Sequence, residues 1–179
     1  MILRRFVEPQ LAQMSYLIGC RETRTAIVVD PIRDAGMYIE AAAAANLKIT
    51  HVTETHIHAD YISGTRELVA RTGAQMLLSN EGPPNWRYDF AEESSATLLR
   101  DGDMFDVGRV RLTARHTPGH TPEHLSFLVK DLATAEEPVA ILTGDFVFVS
   151  ARRTAGPAGT RGGRGGDEGS ERATALISR

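Results

Sequence analysis

Short apolar runs alternate with polar stretches bearing Gly and Pro along most of the chain. Ile2 to Val7 is short and partly apolar, bounded by Pro9. Met14 to Ile18 and Ala26 to Val29 predict two strands around a turn at Gly19-Cys20-Arg21. Asp30-Pro31 stops the second, because proline cannot donate to a ladder. Tyr38 to Leu47 is rich in Ala, with Ile39, Ala43 and Leu47 near helical spacing, and predicts a helix. Ile49 to Glu54 predicts a strand. Ser63 to Thr72 predicts a second helix, with Leu68 and Val69 facing inward and Gly73 as its C-terminal cap. Gln75 to Ser79 returns to strand. Strands and helices in this order predict an α/β layered domain.

Beyond the Gly82-Pro83-Pro84 loop, Trp86 to Leu99 has no clear period and predicts a partly helical excursion. Asp101-Gly102 marks a turn. Phe105 to Val107, Val110 to Ala114, Leu125 to Val129 and Val139 to Leu142 predict further strands, and Phe146 to Val149 continues apolar. From Ala151 to Arg179 the pattern stops: seven Gly, six Arg and two large aliphatics, Leu176 and Ile177, show no period. Such a segment buries too little apolar surface to offset its ordering entropy, so residues 151–179 are expected to be a disordered tail on a domain of residues 1–150.

Composition narrows the class. The hydrophobic fraction of 42% suits a water-soluble domain, and 179 residues suffice for a sizeable core. Net charge is −3, with +3 in the Arg-rich tail and therefore −6 over the first 150 residues. That balance argues against nucleic-acid binding by the main body. One cysteine, Cys20, excludes an internal disulfide framework and points to a reducing compartment, and Cys20 itself reads as a small buried or turn residue. No apolar run is long enough for a membrane span, and Met1-Ile2-Leu3-Arg4-Arg5 has no signal-peptide core behind it, so the cytoplasm is the expected location.

The chemistry concentrates in three loops, each expected to follow a strand. Glu54-Thr55-His56-Ile57-His58-Ala59-Asp60-Tyr61 places two imidazoles and a carboxylate within five positions. His116-Thr117-Pro118-Gly119-His120-Thr121 and Thr143-Gly144-Asp145 follow. Imidazole and carboxylate both bind divalent metals. His56, His120 and Asp145 suit the two-His, one-carboxylate face that iron(II) takes, while zinc hydrolases use the same donor types with water in the open position. His56 and His58 alternate along an extended segment, so whether both reach one ion depends on a bend. Asp60 reads as a second-metal ligand or as an acceptor that orients a ligating imidazole. His116 reads as a structural group, and His51 and His124 as ordinary polar positions.

As a set, these loops resemble the metallo-β-lactamase superfamily, and in detail the persulfide dioxygenases within it. The resemblance covers about residues 1–150 and implies an αββα sandwich with its metal at one edge. It implies one Fe(II) on His56, His120 and Asp145, with His58 and Asp60 beside that ion or at a second one. It further implies oxidation of a glutathione-type persulfide by dioxygen to sulfite and thiol. Dinuclear zinc hydrolases of the superfamily, such as glyoxalase II, usually carry another His where this chain has Tyr61. A phenol with a pKa of about 10 is a poor ligand at neutral pH. No His follows Asp145 either, so a Zn(II) hydrolase of thioesters is the alternative, and an inactive metal-binding remnant a third reading. The implied partners are a small thiol persulfide and dioxygen, with a homodimer as the candidate assembly. After Val149 the family's pattern is lost. The switch to Arg, Gly and Ala resembles a GC-rich gene read in a shifted frame, and predicts an incomplete sandwich.

Overall fold

The computed structural model describes residues 1–11, 13–149 and 171–172. Strands β1 (Ile2–Glu8), β2 (Gln13–Cys20), β3 (Thr25–Val29), β4 (Lys48–Thr53), β5 (Gln75–Ser79) and β6 (Thr97–Leu99) form one sheet in chain order. The first three pair antiparallel; β3 through β6 run parallel, which long crossover connections allow. Helices α1 (Ala35–Ala44) and α2 (Thr65–Thr72) make the first two crossovers, and a turn-rich stretch makes the third, from β5 to β6. A second, antiparallel sheet contains β7 (Met104–Val107), β8 (Val110–His116), β9 (Leu125–Asp131) and β10 (Ala140–Leu142), in the order β10-β9-β8-β7.

The period of two along β2 shows how the layers assemble. Leu17 packs with Val28, Tyr38, Val52 and Leu68 under the helices. Ile18 faces the other way, toward Ile27, Leu112, Phe127 and Val129 between the sheets. Leu17 and Ile18 are both fully buried, each worth about 1.5–3 kcal/mol of transfer free energy. Among the described residues both helices cover the first sheet, so the layers read helix, sheet, sheet. None of these helices is long and apolar enough to cross a membrane.

Two elements differ from expectation. Helix α1 begins at Ala35, because the Asp34 side chain accepts from the Gly36 N–H and caps it. Its buried face is Ala35, Tyr38, Ala41 and Ala42; Ala43 is exposed. Tyr38 is buried because its hydroxyl bonds Ser15 Oγ at 2.6 Å and accepts from Ile32 N–H at 3.0 Å. The stretch 86–96 forms turns rather than a helix, and β6 follows it. Helix α2 ends as expected at Gly73, with φ of 68°.

After β10, Gly144–Phe146 is one 3-10 turn, and β11 (Phe148–Val149) pairs antiparallel with β12 (Glu171–Arg172). Apart from that pair, the expectation of a disordered 151–179 tail lies outside the described residues.

Candidate metal centre

Three strand ends converge at one edge of the sandwich: β4 leads to His56, β8 to His120, and β10 to Asp145. The two sheets are tied there by Leu125 N–H donating to the Thr55 carbonyl at 2.7 Å. One ligand atom from each of His56, His120 and Asp145 lies within 4.8 Å of the other two. His56 Nε2 is 3.8 Å and His120 Nε2 is 3.5 Å from Asp145 Oδ2. Donors about 2.1 Å from a shared ion stand roughly 3.0–3.4 Å apart, so each imidazole nitrogen need approach Asp145 Oδ2 by less than about 1 Å to share one. His56 and Asp145 are buried, whereas His120 is 44% exposed and faces the open side.

The surroundings select the ligating form of His56. Thr55 Oγ1 donates its hydrogen to Asp30 Oδ2 at 3.0 Å and lies 2.9 Å from His56 Nδ1. With that hydrogen committed, the hydroxyl can only accept, so Nδ1 carries the imidazole hydrogen and Nε2 keeps its lone pair. His56 Nε2 is buried with no hydrogen-bond partner. An orphaned buried acceptor beside a carboxylate fits a cation. Burial and the neighbouring His58 push the His56 pKa down to about 3, so its ring is neutral, as a ligand must be.

The chain bends between His56 and His58, bringing their ring centroids to 4.2 Å, yet the two make different bonds. His58 Nε2 is 3.0 Å from Asp30 Oδ1. Burial would lower the His58 pKa, but the hydrogen bond and charge of Asp30 outweigh it and raise it. Asp30 also accepts from Thr55 N–H at 2.6 Å. These donors lower its pKa despite complete burial, with His58 the largest of the opposing influences. Asp60 is exposed and outside the converging group. The Tyr61 hydroxyl accepts from Gln13 Nε2 at 3.1 Å and donates to the Asp30 carbonyl at 3.4 Å. His116 donates from Nε2 to the Pro122 carbonyl at 2.8 Å, a loop-fixing bond, and the His51 ring stacks near Phe105.

Three residues at the site show no functional role in the sequence, among them His124, which reads there as an ordinary polar position. His124 is fully buried and stacks on His56 at 5.0 Å and 22°, with Nδ1 3.0 Å from Thr117 Oγ1. Burial lowers its pKa to about 4. Its place four positions after His120 was the one available hint. Asp30 was visible only as a strand stop. Glu123, fully buried, accepts from Ile57 N–H at 2.7 Å.

Comparison with known proteins agrees with this architecture. A family model described as the metallo-beta-lactamase superfamily matches residues 9–177, past the point where the motif resemblance ends. The mitochondrial persulfide dioxygenase ETHE1 of Mus musculus is 31% identical over 154 residues, covering 83% of this chain and 53% of that protein. A hydroxyacylglutathione hydrolase of Polaromonas sp. is 31% identical over 135 residues, covering 75% of this chain and 47% of that protein. The crystal structure of a metallo-beta-lactamase from Staphylococcus aureus superposes with a TM-score of 0.80 at 41% identity, covering 84% of this chain and 44% of that one. The chain thus spans about half the length of the curated relatives it matches.

Proposed function

We propose, from the premise that this chain belongs to the metallo-beta-lactamase superfamily, that it is an iron(II)-dependent dioxygenase acting on a glutathione-type persulfide. The observation that carries the reading is that, among the described residues, one His and carboxylate group has donor atoms close enough to share an ion. His56, His120 and Asp145 converge, while His58 is held by Asp30, Tyr61 is bonded to Gln13 and the Asp30 carbonyl, and Asp60 is exposed. Persulfide, dioxygen and water would yield thiol, sulfite and two protons, with the sulfane sulfur losing four electrons and dioxygen gaining them.

Iron held by these three residues supplies the redox chemistry between sulfur and dioxygen, which zinc lacks. The chain's own share is orientation. Thr55 and Asp30 fix the His56 tautomer, and the buried His124 ring backs His56 and shields it from water. His120 lines the open side, where exposed Phe146 lies against Gly119 and gives an apolar wall. A reducing compartment, the cytoplasm in this reading, suits a chain whose one cysteine is buried.

A zinc-dependent thioester hydrolase is the second reading, favoured by the Polaromonas relative and disfavoured by the phenol at Tyr61, bonded to Gln13, and by the exposure of Asp60. Oxygen uptake with glutathione persulfide by iron-loaded protein, with sulfite formed one for one, is the expected result. Thioester cleavage by zinc-loaded protein without oxygen uptake would favour the hydrolase. Neither activity from folded, metal-loaded chain would leave a metal-binding remnant.

A further inference from the structure

The carboxylate of Glu123 sits where no charge is required. It is fully buried, and among the described residues no Lys or Arg pairs with it. A buried carboxylate that accepts only from neutral donors is costly, so where its bonds fall matters. Its Oε1 accepts from Ile57 N–H at 2.7 Å and from Thr121 Oγ1 at 3.1 Å. Ile57 follows His56 in sequence, and Thr121 follows His120. One oxygen atom therefore grips the neighbours of both imidazoles that face Asp145. The Glu123 main chain is itself anchored: its carbonyl accepts from Ser79 Oγ at 2.6 Å, and Gly82 lies close enough that an added Cβ would meet the Glu123 backbone at 3.3 Å.

We infer that Glu123 is a positioning residue that sets the separation of His56 and His120 by clamping Ile57 and Thr121 to one carboxylate oxygen. The inference rests on the metal reading of His56, His120 and Asp145. A bond that only stabilised the fold would affect melting alone; a clamp between ligand-bearing loops also affects how a metal is held.

The test uses the full chain and cobalt(II), whose visible absorption reports ligand geometry, with affinity read by chelator competition. Glu123→Met, which keeps bulk and removes the acceptor, is expected to weaken cobalt binding about tenfold or more and shift the visible bands. Glu123→Gln, which keeps an acceptor oxygen for Ile57, should stay within about threefold of the parent with unshifted bands. Leu17→Ala, a core change under the helices, should lower the Tm and leave the bands unmoved. Should Glu123→Met fail to fold, Thr121→Val removes one arm of the clamp and should show a smaller loss with the same band shift. The inference is overturned by unchanged cobalt binding in Glu123→Met or Thr121→Val. Equal loss in Glu123→Gln and Glu123→Met, or the same band shift in Leu17→Ala, overturns it too. Parent protein that takes up no cobalt overturns the metal reading itself, a separate result from a parent that binds and a variant that does not differ.

Discussion

The hydroxyl of Thr55 lies 2.9 Å from His56 Nδ1, and its own hydrogen is already given to Asp30. This short chain of bonds dictates which nitrogen of His56 faces Asp145. Thr55→Val keeps the side-chain volume and removes the acceptor. It should weaken metal binding by about 10–100-fold, and cost about 1–3 kcal/mol because a buried group loses a partner. Thr55→Ser should restore most of both. Chelator competition and denaturant titration measure the two effects separately.

His120 and His58 should respond in opposite ways to truncation. His120 is 44% exposed, so His120→Ala is expected to cost about 1 kcal/mol or less in stability while abolishing metal retention. His58→Ala leaves Asp30 buried without its imidazole and should cost about 3 kcal/mol, with a smaller loss of metal. Metal content per chain, set beside urea midpoints for the metal-free proteins, checks the crossing. Equal metal loss in both variants contradicts it.

Gly144 carries Asp145 into the site at a φ of +49°, where an L side chain is strained. An added Cβ would collide with Thr55 Oγ1 and come within 2.8 Å of His124 Nε2. Gly144→Ala should destabilise by about 3 kcal/mol or more, and reduce metal retention as Asp145 shifts. A variant with parental melting and metal content would show that the turn tolerates the methyl group.

The metal-free protein should gain stability as pH rises from 4.5 toward 6.5; above that the raised pKa of His58 and that of the Cys20 thiol, lowered to about 7, pull in opposite directions. Burial lowers the pKa of His56 to about 3 and of His124 to about 4, so below 6.5 the unfolded chain binds protons that the folded one does not. Their contribution is complete above pH 6.5 and is lost as pH falls toward those values. His58 has the opposite sign: Asp30 raises its pKa, so its contribution is present below 6.5 and is lost as pH rises through the raised value. Slopes are on the order of 1 kcal/mol per pH unit per residue. Melting of chelator-treated protein between pH 4.5 and 8 measures this, and a flat profile below pH 6.5 contradicts it.

Strand alternation was legible because it is local: Met14 to Ile18 and Val110 to Ala114 carry their period on their face, and β2 and β8 contain them. The first helix was misplaced by three residues because its start depends on a capping side chain, Asp34, and its buried face on a tyrosine whose hydroxyl finds Ser15 across the layer. At the site, the residues expected to share an ion do converge in space. Asp30, Glu123 and His124 were not legible, because what matters about them is a bond or stacking contact to another loop. Glu123 reaches Ile57 across 66 positions and Asp30 reaches Thr55 across 25, and no local pattern encodes such a meeting. The bend that sends His56 and His58 to different partners was invisible for the same reason.

The account turns on one redox-active ion held by His56, His120 and Asp145, and metal content is its most direct test. Protein purified without chelators under reducing, oxygen-free conditions should retain about one iron per chain, and His120→Ala prepared in parallel should retain almost none. Two zinc ions per chain, or full iron occupancy in His120→Ala, would contradict it.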